Sequence, residues 1–266
     1  MDDIPLYMLR AIAALFLIAV NASVAGTFTV FRNVSFLVAG ASHAALAGAA
    51  LAIVLETYNI FSMNPIVGGI LFAMFTAIAA GYASKDEGIN TAIGISFALS
   101  MSLAVLFISM IREYAARVWG LLIGDLFLLT NEDLVLMLIS TLLVVFVCSL
   151  LYREFLFISF DMEGAMAYGI NASMLNYVLL SLIAVAVVVT LKGVGAILVF
   201  AMFVAPAAAA VEVAGNVRQV FILAFLIAMV SGFVGLAISF FYQVSPGAVA
   251  SLFASLTYFA AVAYRR

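Results

Sequence analysis

Few residues in this chain have the chemistry to bind or transform anything. There is one histidine, His43, and one cysteine, Cys148. His43 stands eight residues into an apolar run long enough to cross a bilayer, so it sits about 12 Å deep and near the middle. A neutral imidazole at that depth is a good ligand for zinc or manganese, and ionisable groups inside membranes are functional by default. The alternative is a packed histidine bonded to a neighbouring helix. Ser42 beside it and Asn21, at mid-depth in the preceding apolar run, are the other candidate ligands in the membrane. Glu56 closes the His43 run on its outer side and is a candidate entry ligand. Asn21 equally suits an interhelical hydrogen bond, worth about 0.6 kcal/mol on average, and Glu56 a solvated helix end.

Other chemistries lack their parts. Cys148 lies in an apolar run with no CxxC anywhere, which suits a small buried hydrophobe. There is no HExxH, no GxSxG and no pair of intramembrane carboxylates, which argues against an intramembrane enzyme. Without GxxxxGK[ST] the chain cannot bind ATP through a P-loop. A proton- or sodium-driven carrier should bury acids at mid-depth, whereas every acid here falls at or outside a span boundary. The twelve methionines are scattered and read as adaptable packing.

The elements that must position these residues follow from composition. The chain has 266 residues, 68% hydrophobic and 9% charged, with a mean hydropathy of +1.33. A soluble domain carries about 25% charged residues, so this surface could not be covered in water. The expectation is an all-α, multi-pass membrane protein, a single membrane domain over 1–266. A net charge of −3 and no basic block argue against nucleic acid as a partner.

Charges divide the sequence into pieces of about 20 apolar residues. The predicted spans are 11–31, 35–55, 66–82, 89–111, 134–152, 174–191, 193–211, 220–242 and 246–264, about nine transmembrane helices. Helices are expected because each satisfies its own backbone in lipid, and no strand alternation suggests a barrel. The first run follows a single basic residue, Arg10, and exceeds a signal-peptide core, so it reads as a permanent span. Residues 112–133 have an apolar centre too short to span. They read as an interfacial or re-entrant helix, with Trp119 at headgroup depth.

With the C-terminus inside, Arg32, Lys85, Arg153, Arg218, Arg265 and Arg266 are cytoplasmic, and Arg10, Arg112, Arg117 and Lys192 are outside. That is a weak positive-inside bias. The outer side then carries seven acids (Asp2, Asp3, Glu56, Glu113, Asp125, Glu132, Asp133) against four bases, enough to concentrate cations modestly.

Between the fifth and sixth predicted spans lies a charged, helix-sized loop at 153–172, an expected docking surface on the cytoplasmic side. Glu163 near the start of a short helix suits the helix dipole, and Gly169 is placed to end it. Further on, Pro206 should kink or end the seventh span. In the second span Gly40, Ala44 and Gly48 recur every four residues, a spacing that admits another helix closely.

The run FDMEGAMAYGIN followed by LKGVGAILVFAMFVAPAAAA resembles the signature of the membrane permease of divalent-metal (zinc, manganese, iron) ABC importers. More distantly it resembles the cobalamin and siderophore permeases. MLRAIAALFLIAVNASVAGTFTVFRNVSFL, ASHAALAGAAL, NTAIGISFALSMSLAVLF and SPGAVASLFASLTYFAA follow in the family's order, so the resemblance covers nearly the whole chain. It implies a permease in the cell membrane, a homodimer with a pathway near its twofold axis, a separate ATPase subunit that uses the ATP, and an extracellular metal-binding protein. The chain itself would bind no cofactor; the divalent metal is cargo. Asp161, Glu163, Ala167, Gly169 and Asn171 match the family's coupling segment, which packs into a groove of the ATPase.

One departure bears on the cargo. The family reads roughly F-L-G-D-A-L-S-H-A around the histidine, and here the aspartate is Ala39. Asp and His at i and i+4 share a helix face and form a two-ligand clamp. Its loss keeps open a metal chelate (siderophore, haem or corrinoid) as the alternative cargo.

Overall fold

The computed structural model describes residues 5–110 and 123–265, with the side chains of 84–87 excepted. The described residues form eleven helices. They are α1 (Leu6–Phe31), α2 (Phe36–Thr57), α3 (Pro65–Glu87), α4 (Ile89–Ser109), α5 (Asn131–Leu150), α6 (Tyr152–Phe160), α7 (Met162–Ala167), α8 (Ala172–Val194), α9 (Val199–Val213), α10 (Val217–Tyr242) and α11 (Pro246–Arg265). Eight are long and apolar enough to cross a membrane: α1, α2, α3, α4, α5, α8, α10 and α11.

The seventh predicted span differs. Expected at 193–211, it is instead the 15-residue helix α9, beginning at Val199. Lys192 does not break the chain, because it lies in the last turn of α8 and its ammonium reaches Asp133 at 2.6 Å. The break comes three residues later at Gly195, where φ is +92°. Pro206 does not end α9 either; it is buried inside a helix that runs on to Val213. Of the expected interfacial piece, Trp119 falls outside the described residues. The part that is described holds a short 3-10 turn, Leu126–Leu128, capped by Asp125 accepting from the Phe127 amide at 2.8 Å.

Three helices make the interior. In their most apolar windows α2 is 83% buried and α1 and α8 are each 72% buried, against 22% for α4 and α11. The outer helices present Ile95, Leu99, Phe146, Leu252 and Phe259 outward, as a lipid-facing surface must. The interior packing rests on small residues of α2. A side chain at Gly48 would put its Cβ 2.3 Å from the Gly68 carbonyl oxygen of α3, and one at Gly40 would meet Ile93 of α4. The four-residue stripe is therefore a seam within one chain, where backbones approach because nothing projects between them.

α1 is irregular in its middle. Ala22–Gly26 is π-helical, one residue wider per turn. At its end Gly26 lies directly against the carbonyl of Phe203 in α9, where a Cβ would come within 2.4 Å of the oxygen. The small helices α6 and α7 close one end of the bundle. The opposite end holds the 3-10 turn, the capped start of α5 and the last turn of α8.

Candidate functional site

His43 is half-buried on α2, its ring edge-on to Phe97 of α4 at 4.8 Å between centroids. Its Nδ1 lies 2.9 Å from the carbonyl oxygen of Ala39, one turn earlier. A carbonyl only accepts, so this contact puts a proton on Nδ1, and in the neutral ring Nε2 is then the nitrogen left to bind a ligand. That is the tautomer of a metal-ligating histidine, with the second nitrogen fixed by a backbone acceptor.

Ser42 is fully buried, and its hydroxyl faces the carbonyls of Ala39 at 2.9 Å and Ala196 at 3.2 Å. Ala196 belongs to the crossover 195–198 between α8 and α9, where the Gly195 oxygen accepts from the Leu198 and Val199 amides and the Leu198 oxygen from the Met202 amide. Ser251 of α11 donates to Leu198 in the same crossover at 3.2 Å. Ser42 is thus the donor beside the Ala196 oxygen, which lipid could not satisfy, and Ser251 adds a contact to an oxygen already met within α9. Ser42 lies between α2 and the crossover, its single proton shared between two carbonyl acceptors, with Nδ1 of His43 at 3.2 Å from its oxygen.

The other candidate ligands stand apart. Asn21 is fully buried and donates Nδ2 to Thr141 of α5 at 2.7 Å and to Leu17 at 3.1 Å, while its Oδ1 has no partner. Glu56 is exposed on α2, thirteen residues beyond His43 and so about 20 Å along the axis. Among the described residues, no three His, Cys, Asp or Glu side chains gather closely enough to hold a metal ion.

At the α6–α7 end, Asp161 caps α7, accepting from the Gly164 amide at 2.7 Å. Glu163 lies in the first turn, where the partial positive charge of the helix start favours it. Gly169 takes φ +80° just past the helix and turns the chain, and Asn171 caps α8 through the Met174 amide at 3.1 Å. Asp161, Glu163, Ala167, Gly169 and Asn171 are all exposed. Sequence reasoning missed the apolar part of this surface: Tyr168 is 82% exposed and Phe160 and Met166 stand out beside it. Their signal was present, since aromatic and thioether side chains in a short charged loop have no span to serve. Arg32, read only as a cytoplasmic charge, reaches this region as well, donating to Met162 at 2.9 Å and to Asn176 at 3.1 Å.

The opposite end carries a cavity of about 1140 Å³. Its lining mixes Tyr7, Phe127 and Phe240 with Asp125, Glu132 and Gln243. Asp133 accepts from Lys192 at 2.6 Å and from the Thr130 hydroxyl and amide, so its carboxylate is compensated at the cavity wall.

The fold has solved counterparts. PsaBC from Streptococcus pneumoniae, in complex with Fab, superposes with a TM-score of 0.84 over 97% of this chain and 91% of that one, at 23% identity. By sequence, the manganese transport system membrane protein MntC of Listeria monocytogenes is 30% identical over 96% of this chain and 89% of its own length. The high-affinity zinc uptake system membrane protein ZnuB of Haemophilus influenzae is 27% identical over 84% of each. The model of the ABC 3 transport family matches residues 5–265. With eight helices among the described residues long and apolar enough to span, and a family match over residues 5–265, the chain is a multi-pass membrane permease belonging to the ABC 3 transport family.

Proposed function

We propose that this chain is the permease of a binding-protein-dependent importer in the cell membrane that moves a divalent metal ion inward. In this reading the ion passes His43 in the membrane, and two copies of the chain form the pathway. A separate ATPase docks on the exposed α7 surface, and an extracellular metal-binding protein delivers the ion to the cavity end. The cargo class is supported by relatives named for manganese and zinc transport. The observation that carries it to a residue is the free Nε2 of His43 on the most buried helix, with Nδ1 fixed by Ala39. The test is uptake of manganese and zinc by proteoliposomes containing the permease, its ATPase and its binding protein. ATP-dependent accumulation of either ion is expected; ATP hydrolysis without accumulation of any free divalent ion would overturn the reading.

A second reading, a metal chelate as cargo, is favoured by one observation. The end cavity exceeds the roughly 300–1,000 Å³ of small-molecule pockets, and no cluster of metal ligands exists among the described residues. Uptake of a preformed chelate in preference to the free ion would select it.

A further inference from the structure

We propose that Arg32 is a positioning residue that ties the docking helix α7 to the histidine-bearing helix α2 and so converts movement of the dock into movement of the pathway. The inference rests on the reading of α7 as the ATPase dock.

Arg32 immediately follows α1 and is half-buried. It forms no ion pair among the described residues; its partners are neutral. Nε donates to the Asn176 Oδ1 at 3.1 Å, and Nη2 donates to the Met162 Sδ at 2.9 Å. Met162 is the first residue of α7, and Asn176 is buried in the second turn of α8. A guanidinium without a counter-charge is a costly way to fill space, and burial disfavours its charged form, pushing its pKa below the usual value. What it offers in return is geometry: a planar fork of five donors grips two elements at fixed angles.

The neighbouring rings reinforce the grip. Phe31 lies 5.1 Å from Phe160, at the end of α6, and Phe28 meets Phe155 edge-on at 5.8 Å. The last turn of α1 therefore holds α6, the arm that leads into α7. On its other side Arg32 leads into α2 through only three residues. That turn is stiff: Asn33 takes φ +56°, Asn33 N–H donates to Val30 at 3.0 Å, and Val34 N–H donates to Thr29 at 3.0 Å. A displacement of α7 pulls on Arg32 and reaches the start of α2, seven residues before His43, through the turn at Asn33. This is a contiguous physical connection, and its coupling is measurable.

The test uses the complete complex in proteoliposomes, with manganese chloride as probe, and reads ions taken up per ATP hydrolysed. Arg32→Lys keeps the charge and loses the fork; Asn176→Leu removes one acceptor. Each is expected to lower uptake per ATP by about five-fold, with co-purification of the ATPase retained. The double variant should lose no more than the worse single one, because both break one link. Glu163→Lys, in the dock itself, serves as the contrast and should weaken co-purification. If Glu163→Lys leaves assembly and hydrolysis unchanged, the dock reading fails. If the dock holds but Arg32→Lys keeps its uptake per ATP, the Arg32 link is overturned. Parallel loss of thermal stability, hydrolysis and uptake, with their ratio unchanged, also overturns it, since that is what a merely structural residue would give.

Discussion

The carbonyl oxygen of Ala39 accepts a hydrogen bond from Nδ1 of His43 one turn later, at 2.9 Å. The bond belongs to the backbone, so any residue at 39 supplies it. What Ala39 withholds is a carboxylate on the same face as the imidazole. One neutral ligand holds a divalent ion weakly and discriminates little between hard and borderline metals. His43→Ala is expected to reduce metal uptake about tenfold or more. Ala39→Asp should tighten metal binding by about the same factor and slow release. Uptake of manganese, zinc and iron by the reconstituted complex decides both, and unchanged uptake in His43→Ala would assign the cargo to another site.

Gly169 and Glu163 give an independent check on the cytoplasmic end. A β-branched residue at Gly169 must adopt φ +80°, a strain of about 1–2 kcal/mol or more at that turn. Gly169→Val and Glu163→Lys should each reduce stimulated ATP hydrolysis severalfold while the permease still inserts. Pull-down of the ATPase by detergent-solubilised variants measures it; full retention by both would remove α7 from the interface.

The contact between Asn21 and Thr141 joins helices 120 residues apart in sequence. Membrane-buried bonds of this kind contribute about 0.6 kcal/mol on average and seldom above about 1.7. Thr141→Val should therefore lower the unfolding temperature in detergent by only a few degrees, with uptake preserved. A change in metal preference instead of stability would return Asn21 to the ligand set.

Gly26→Ala tests the π-helical stretch. The new methyl would stand 2.4 Å from the Phe203 carbonyl oxygen, so α1 and α9 must separate. Overpacking of this sort destabilises by about 1–3 kcal/mol. Thermal unfolding of the purified chain should show a loss at the upper end of that range, while Gly94→Ala, where a Cβ meets nothing, should show none.

Much of the bundle was legible because apolar length alone specifies a spanning helix. The boundaries were less so, and the reasons are specific. Lys192 looked like a terminator, yet a long aliphatic stem carries its charge out to Asp133 without ending the helix. Gly195, with its positive φ, was the true stop and is one of eighteen glycines in the chain. Nothing in Ala22–Gly26 marks a π-helix locally; it is met by a close approach to α9 that only the folded chain contains. At the site, the lone histidine and the caps of α7 and α8 were readable as residue types. The tautomer of His43, the partner of Asn21 and the reach of Arg32 depend on atoms distant in sequence, and no spacing encodes them.

The shortness of α9 has a consequence for biosynthesis. Fifteen residues rise about 22 Å, short of some 30 Å of hydrocarbon. The Gly195 and Leu198 oxygens of the preceding crossover are met by amides at the start of α9. The Ala196 oxygen has the Ser42 hydroxyl beside it, and with α9 alone in a bilayer it would face lipid, where an unmet group is penalised by several kcal/mol. Its donor, Ser42 of α2, is made well before α9. The insertion machinery therefore cannot release α9 as an independent unit in the order of translation. It must let the α8–α9 pair lodge against α2, which is already in place. Ser42→Ala should therefore lower the yield of correctly inserted chain, although every longer span can still enter the membrane.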